Sequence, residues 1–302
     1  MGDVIGGYRL LTAMQTTGSG SARWCLAMRG MERFFLKEFL SPVWPVRQDT
    51  PLGQKQLDRC LRFEERKQRL YASASCVLGD VLVPVVDFFR ENGHYYAVTE
   101  AAPDGHMTAD RAFHLPDEEK RQILYDLAVG LQRLHAQGIV HADLKPEHVL
   151  LIPQDRGWKP KLIDLDSGFL TDDPPHSAQE LEGDPAYLAP EVFLRMAGEQ
   201  TELGAALDVF AFGMLISQIW TGGLPEFDRT RYHYLYEAAL ENGSIQLHLP
   251  EKWEQLVRRM LCAEREQRPQ AAEIADCLWF PQESAKHNGF ANGLKRLMKQ
   301  GL

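Results

Sequence analysis

The chain has 302 residues, a formal net charge of −9, 44% hydrophobic residues and 25% charged residues. This length can hold one large domain or two lobes with sizeable cores, and the composition is that of an ordinary soluble globular protein. The acidic balance argues against nucleic acid or an anionic membrane as a bulk partner. Five cysteines without a CxxC pair suit a reducing compartment better than a disulfide framework or a zinc site.

Hydropathy bears on where the protein resides. The N-terminal segment MGDVIGGYRLL lacks the basic residues and the long apolar core of a signal peptide. No apolar run in the sequence reaches the length of a membrane span. These features predict a cytoplasmic protein.

The first hundred residues are typical of short strands separated by turns. Residues 33–39 (RFFLKEF) and 94–100 (HYYAVTE) are aromatic and β-branched, and they predict strands. The charged run 57–71 predicts a helix between those strands. Residues 41–54, with three prolines and one glycine, predict a loop before that helix.

The rest of the chain has a helical pattern. Residues 117–137 begin with three acidic residues and carry apolar residues at helical spacing up to Gly138, and they predict an amphipathic helix. Residues 207–220 are apolar on nearly all sides, which predicts a buried helix. Further helices are expected near 251–262 and 270–279. A strand-rich lobe followed by a helix-rich lobe predicts a ligand cleft between the two.

The most specific motif is the octapeptide 141–148, HADLKPEH, which follows the long predicted helix. An aspartate followed two residues later by a lysine suits phosphoryl transfer. Asp143 can orient an attacking hydroxyl and accept its proton, and Lys145 can neutralise charge on the transferred group. The octapeptide resembles the catalytic loop of Ser/Thr protein kinases, HRDLKPEN, at six of eight positions.

Two later segments resemble the same family. In KLIDLD, which resembles the strand and the DFG metal-binding segment, Asp164 is the expected magnesium ligand. Residues 183–191 (GDPAYLAPE) resemble the GTPxYxAPE segment that closes the activation loop. Asp208 matches the buried aspartate of the next large helix, and Arg268 matches the arginine that pairs with Glu191.

The resemblance assigns the segments that would contact the nucleotide. Gly18 and Gly20 lie in TTGSGSA, which resembles the glycine-rich phosphate loop imperfectly and equally resembles a plain hairpin turn. Thr99 matches the residue behind the nucleotide pocket. The backbone from Glu100 to Ala102 would then meet the adenine.

One strand lysine completes the expected nucleotide site. Lys37 in FLKE matches the lysine that contacts the α- and β-phosphates, although an edge charge on a strand has the same appearance. In the family a helix glutamate holds this lysine. Glu64 and Glu65 are the two candidates for that role.

These matches run in the family's order from about residue 8 to 280, and the chain resembles Hanks-type (eukaryotic-like) Ser/Thr protein kinases of the bacterial style. The resemblance implies an α+β, bilobal protein-kinase-like fold. It divides the chain into an N-terminal lobe (1–102), a C-terminal lobe (103–280) and a tail or terminal helix (281–302). It also implies ATP with Mg²⁺ or Mn²⁺, a protein substrate and a regulatory partner protein.

Two replacements in the octapeptide bear on the mechanism. His148 stands where the family has an asparagine that supplies an oxygen to a second metal ion, and imidazole nitrogen is a poor ligand for magnesium. Asp166, in place of the DFG glycine, is expected to supply a substitute carboxylate; a single metal ion or weak activity are the alternatives. Ala142 removes an arginine that gathers a loop phosphate, and the loop from Asp164 to Glu191 is already acidic, so little dependence on loop phosphorylation is expected.

Three functional hypotheses follow. The leading one is an active ATP-dependent Ser/Thr protein kinase. The altered glycine-rich loop and His148 suit a pseudokinase that acts as a nucleotide-binding scaffold, although the lysine and the two aspartates of the site are retained. The missing loop arginine and the second aspartate also occur in small-molecule phosphotransferases, but Asp208, Arg268 and the APE-like segment favour the protein kinases.

Overall fold

A computed structural model describes residues 3–17, 20–77 and 81–279. Gly18 and the tail at 281–302 lie outside the described residues. Strands dominate the first hundred residues and helices dominate the rest, which confirms the predicted α+β architecture with a strand-rich and a helix-rich lobe.

The strand-rich part is built on one antiparallel sheet of seven strands. The strands are β1 (Val4–Ile5), β2 (Tyr8–Leu10), β3 (Gln15–Thr16), β4 (Ala22–Arg29), β5 (Glu32–Phe39), β6 (Val85–Glu91) and β7 (His94–Glu100). Their order across the sheet is β1-β2-β4-β5-β7-β6, with β3 paired to β4. The strands predicted at 33–39 and 94–100 are confirmed, and they pair with each other.

Helix α1 (Pro51–Ser75) packs beside this sheet and is longer than the sequence predicts. The loop prediction for 41–54 is wrong at its end, because a proline is accepted in the first turn of a helix, where its missing N–H has no partner to lose. The side chain of Thr50 caps the helix by accepting a hydrogen bond from the Gly53 amide, 3.1 Å. A Cβ at Gly53 would lie 1.9 Å from the Arg47 carbonyl oxygen, so glycine is required at this close approach.

The second part of the chain contains six α-helices among the described residues. They are α2 (Asp117–Ala136), α3 (Pro190–Met196), α4 (Ala206–Thr221), α5 (Leu235–Leu240), α6 (Glu251–Met260) and α7 (Ala271–Leu278). The helices predicted at 117–137, 207–220, 251–262 and 270–279 are therefore confirmed within two residues at each end. Buried leucines of α2 and nearly the whole surface of α4 form the main core.

Short strands connect these helices and position the loops of the site. They are β8 (Met107–Thr108), β9 (Ile139–Val140), β10 (Val149–Pro153), β11 (Trp158–Leu162), β12 (Phe169–Leu170), β13 (Glu226–Phe227) and β14 (Ile245–Gln246). The hairpin of β10 and β11 pairs Val149 with Leu162. The octapeptide therefore enters this hairpin where the KLIDLD segment leaves it, and the Ile163 amide donates to the His148 carbonyl oxygen, 3.0 Å.

The length and polarity of the helices bear on membrane insertion. Across residues 3–17, 20–77 and 81–279, none of the helices combines the length and the apolar character needed to cross a bilayer.

Candidate active site

One face of the small sheet carries two of the residues predicted to contact the nucleotide. Directly opposed residues of an antiparallel pair share a face, and the register pairs Lys37 with Trp24 and with Ala97, and Phe35 with Thr99. The rings of Trp24 and Phe35 stack with centroids 5.1 Å apart. Lys37 and Thr99 therefore lie on one face, and that face also carries an aromatic pair.

Lys37 reaches from this face to the segment that follows β11. Its Nζ lies 2.7 Å from Asp164 Oδ2 and 2.5 Å from Asp166 Oδ2. Burial alone lowers the pKa of an ammonium, but the attraction of Asp166 and Asp164 outweighs it and raises the pKa of Lys37. The lysine is therefore a permanent cation, and it holds two carboxylates together in the cleft.

The structure corrects the prediction that a glutamate of helix α1 pairs with Lys37. Neither Glu64 nor Glu65 pairs with Lys37. Glu64 accepts a hydrogen bond from the Tyr95 hydroxyl, 3.1 Å, and Glu65 is exposed to solvent. The side chain that α1 turns toward the cleft is Lys67, which is 7% exposed and donates to main-chain carbonyl oxygens of Leu165 (3.5 Å) and Asp166.

The sequence contains a signal for Lys67 that spacing could have revealed. It belongs to the buried face of α1, together with Cys60, Tyr71 and Ala74, and is the one charged residue among the buried positions of that helix. A lone cation in an apolar helix stripe needs acceptors from another part of the chain. Sequence reasoning missed it because the family pattern directs attention to glutamates.

Asp208 on α4 accepts hydrogen bonds from the start of the octapeptide. The Asp208 carboxylate accepts hydrogen bonds from the amides of His141 (2.9 Å) and Ala142 (2.8 Å) and faces His135 Nε2 at 2.9 Å. Ala142 has φ +64°, a left-handed conformation that disfavours a side chain by about 1–2 kcal/mol. Asp208 is fully buried as predicted, and it stabilises this turn. The contribution of His135 is a feature that sequence reasoning missed.

The two predicted catalytic residues are adjacent. Lys145 Nζ lies 3.1 Å from Asp143 Oδ2, and the Asp184 amide donates to Asp143 Oδ1, 3.1 Å. Asp184 Oδ2 is 3.9 Å from Lys145 Nζ. The closing segment of the activation loop therefore contacts the octapeptide directly and fixes the orientation of the Asp143 carboxylate.

His148 links the two aspartates of the site. Its Nδ1 donates to the Asp143 carbonyl oxygen, 2.8 Å, and its Nε2 lies 3.6 Å from Asp164 Oδ2. Nδ1–H bonded to a carbonyl leaves Nε2 free to accept or to ligate. The imidazole therefore occupies the position between the residue that would receive a proton and the residue that would bind a metal ion.

The donors near Asp164 fit a magnesium ion that is completed by phosphates. Carboxylate oxygens of Asp164 and Asp166 are the hard ligands that Mg²⁺ prefers, and one or two of them suffice when a substrate supplies further oxygens. In the described part of the chain, no group of three or more His, Cys, Asp or Glu side chains is arranged to hold a metal ion alone. Asp164 and Asp166 could supply two ligands to a metal ion whose other ligands come from nucleotide phosphates.

Three further residues predicted to contact the nucleotide lie in a turn of the small sheet and at the end of β7. Gly20, with φ +72°, lies in the turn between β3 and β4, and its amide donates to the Thr17 carbonyl oxygen, 2.9 Å. Glu100 ends β7, and Ala102 follows it in the chain segment that joins the lobes. Their contacts to a nucleotide stay predictions.

Two ion-pair clusters brace the activation loop. Arg66 on α1 contacts Glu180 at 2.6 Å and Asp173 at 3.3 Å, and Arg69 contacts Asp172 at 2.9 Å. Below the loop, the predicted pair of Arg268 and Glu191 is confirmed as a buried, bidentate contact with both distances 2.8 Å. The Arg66 and Arg69 contacts were not foreseen, because the sequence identifies the acidic loop without identifying the cations that meet it.

Comparison with known proteins decides the family. Residues 68–280 match the family described as the protein kinase domain. The chain belongs to the protein kinase family. The kinase chain is 33% identical to serine/threonine-protein kinase SIK2 of Gallus gallus over 61% of this chain and 22% of that protein. It is 30% identical to serine/threonine-protein kinase pkn2 of Myxococcus xanthus over 71% of this chain and 27% of that protein.

A solved structure shows the same fold. The kinase domain of Mycobacterium tuberculosis PknI superposes with a TM-score of 0.61 and 19% identity, covering 92% of this chain and 96% of that one. The chain spans about a quarter of the length of the curated relatives it matches. The relatives are named as Ser/Thr kinases, so they give no support to the pseudokinase alternative.

Proposed function

We propose that the chain is an ATP-dependent Ser/Thr protein kinase. One observation carries the proposal: the pair of Asp143 and Lys145 lies close to the pair of Lys37 and Asp164. His148 lies between the two pairs and contacts both aspartates. Positioned cations and carboxylates of this kind supply most of what phosphoryl transfer needs from a protein. The family and the named relatives support the assignment.

The transfer step uses the residues as follows. A serine or threonine hydroxyl of the substrate attacks the γ-phosphorus of ATP, and the bond from that phosphorus to the β–γ bridging oxygen breaks. Asp143 orients the hydroxyl and takes its proton, while Lys145 stabilises negative charge on the transferred group. Lys37 contacts the α- and β-phosphates and stabilises the ADP that leaves.

The metal ligands are part of the same proposal. Asp164 would hold the metal ion, and Asp166 or His148 would supply the ligand that the family takes from asparagine. Bound there, Mg²⁺ or Mn²⁺ would neutralise phosphate charge. Asp166 contacts Lys37 through Oδ2, at 2.5 Å.

Low dependence on loop phosphorylation follows from the loop's own carboxylates. Asp172, Asp173 and Glu180 already contact Arg66 and Arg69, so the loop has its anionic partners for α1 without a phosphate. We therefore propose that the unphosphorylated chain is active.

The wider setting is proposed on the family resemblance. The lobes are proposed to divide between residues 102 and 103, just after β7, with the tail at 281–302 following the second lobe. A protein substrate, a regulatory partner protein and a cytoplasmic location complete the proposal.

Transfer of labelled γ-phosphate from ATP to a Ser/Thr-containing protein acceptor tests the assignment. Asp143→Asn keeps the size of the side chain but removes the proton acceptor, so transfer is expected to fall at least about a hundredfold. Exposed Asp110→Asn is the matched control and should transfer at the wild-type rate. Equal transfer by the wild type and Asp143→Asn contradicts the assignment, and transfer to small alcohols or amines in its place supports the phosphotransferase alternative.

Metal dependence tests the role of Asp166. If its carboxylate helps to bind the ion, Asp166→Gly needs about tenfold more Mg²⁺ for half-maximal transfer at saturating ATP, and Mn²⁺ restores part of the loss. An unchanged Mg²⁺ and Mn²⁺ titration would show that Asp166 is not a metal ligand.

A further inference from the structure

Lys67 is a buried cation whose hydrogen-bond acceptors are main-chain oxygens. Its side chain lies against the rings of Phe39, Phe63 and Tyr71, with Nζ 5.7–5.9 Å from the ring centroids. Among the residues that the structure describes, no carboxylate oxygen lies within ion-pairing distance of this Nζ. Its acceptors are the main-chain oxygens of Leu165 and Asp166, so it fixes the path of the backbone.

Lys67 and Asp166 belong to one group of close cations and carboxylates, to which the more distant Glu182 adds a negative charge that acts on Lys67. Lys37 and Lys67 contribute two positive charges, and Asp164 and Asp166 contribute two negative charges. A glycine at 166 would leave two buried lysines beside one aspartate. A glutamate at 67 would leave three carboxylates beside one lysine. Each alternative removes a close compensating contact from a buried charge, which is unfavourable.

The structure assigns the positioning of Lys37 to Asp166, and the positioning of Asp166 to Lys67. Helix α1 is therefore linked to the cleft by a lysine on the helix and a carboxylate on the KLIDLD segment. A pair of Lys37 with Glu64 or Glu65 would have placed the negative charge on the helix instead. Both Lys67 and Asp166 are positioning residues in this arrangement. The inference rests on the proposed contact of Lys37 with nucleotide phosphates.

The desolvation of the group supports this division of roles. Lys67 is 7% exposed, and the side chains of Lys37 and Asp166 are 12% and 19% exposed. Charged groups in such surroundings are held in one geometry, because losing a partner leaves a buried charge without compensation. A small movement of α1 is therefore transmitted to the Asp166 backbone and then to Lys37.

The inference is tested by removing the carboxylate at position 166 and introducing one at position 67. The wild type is compared with Lys67→Glu, Asp166→Gly and the double variant, by calorimetric ADP binding in EDTA and by thermal unfolding. Metal-free binding reads the Lys37 contact without the metal role of Asp166. Each single variant is expected to bind ADP about tenfold more weakly, and the double variant to recover most of the loss, because the carboxylate introduced on α1 then faces Lys37.

The matched control moves the same charge to an exposed site. Lys55→Glu combined with Asp166→Gly has the same net charge as the double variant but should show no recovery, because Lys55 is exposed on α1. Additive losses in the Lys67→Glu and Asp166→Gly double variant overturn the inference. Equal recovery by the Lys55 combination does so too, since it reduces the effect to net charge.

Two conservative variants keep the test decisive if a charge reversal prevents folding. Asp166→Asn and Lys67→Met retain shape without charge, and both should weaken metal-free ADP binding about fivefold or more; unchanged binding in both overturns the inference. If the double variant recovers ADP binding but the wild type transfers no phosphate, only the proposed function is refuted. If the wild type transfers phosphate but the double variant does not recover ADP binding, only this inference is refuted.

Discussion

At the scale of residues, the site depends on buried acids that hold strained backbone. Ala142 and Asp164 both have φ near +65°, at the two turns that present the proton acceptor and the metal ligand. Asp208 compensates the first turn by accepting hydrogen bonds from two amides and facing His135. Burial alone would raise the Asp208 pKa, but these hydrogen bonds and the neighbouring histidines lower it, so the carboxylate is ionised.

Removing Asp208 should therefore be costly. Asp208→Ala leaves the amides of His141 and Ala142 buried without an acceptor, and we expect the free energy of unfolding to fall by about 3–5 kcal/mol in urea titrations. The control is Asp104→Ala, whose carboxylate is 97% exposed and should change stability by less than about 0.5 kcal/mol. Similar losses in both variants contradict the bracing role of Asp208.

His141 should make stability depend on pH near neutrality. Burial lowers the pKa of His141, and its neutral ring donates from Nε2 to the Ile163 carbonyl oxygen, 3.0 Å. Below about pH 6.5 the unfolded chain then binds a proton that the folded chain excludes, so stability falls as the pH falls, by at most about 1.4 kcal/mol per pH unit.

The measurement is the melting temperature from pH 5 to 8 in wild type and His141→Asn. Asp166, whose pKa is raised to about 6, works in the opposite direction, because the folded chain takes up its proton first as the pH falls. It is present in both proteins, so the difference between their pH profiles isolates His141. Parallel profiles would show that His141 does not titrate as proposed.

At the scale of elements, α1 is the surface to which the activation loop is fixed. Arg66 is about one-quarter exposed and contacts both Asp173 and Glu180, including the Asp173 carbonyl oxygen at 2.8 Å. A network of this kind holds a loop better than a single exposed ion pair would. The same helix contributes Lys67 to the cleft, so the loop and the nucleotide site are braced from two faces of one element.

Loss of that network should loosen the loop while leaving the fold intact. In Arg66→Ala we expect hydrogen exchange of the amides at 171–184 to accelerate roughly fivefold to tenfold, since the opening free energy falls by about 1 kcal/mol. Arg62→Ala, an exposed arginine on the same helix, is the control and should leave these amides unchanged. Equal protection in both variants would remove the physical basis for phosphorylation independence.

Local patterns predicted most elements, and their limits have physical causes. The amphipathic spacing of α2 and the apolar character of α4 are properties of single segments, so both helices could be predicted without knowing the fold. The start of α1 was misplaced because prolines at 42, 45 and 51 suggest a loop, whereas Pro51 fits the first helical turn. The partner of Lys37 could not be derived, because Asp166 is distant in sequence and only tertiary packing selects it over nearby glutamates.

At the scale of the whole molecule, ion pairs and hydrogen bonds connect the two lobes in addition to the chain segment between them. Lys37 and Lys67 come from the first hundred residues, and both are satisfied by the segment that follows β11. The metal segment therefore contacts the small sheet and α1 at once. A bound nucleotide would meet a cleft whose charged groups are already paired, and Lys37 would exchange carboxylate contacts for phosphate contacts.

Phosphoryl transfer itself is the central claim, and intact-protein mass spectrometry tests it most directly. Purified chain, treated first with phosphatase and then cleared of it, is incubated with ATP and Mg²⁺ beside Asp143→Asn prepared identically. We predict that the wild type gains phosphoryl groups on Ser or Thr and that Asp143→Asn gains none. Absence of phosphate on the wild type and on any added protein acceptor, while ATP binds, would contradict the account and leave a nucleotide-binding scaffold.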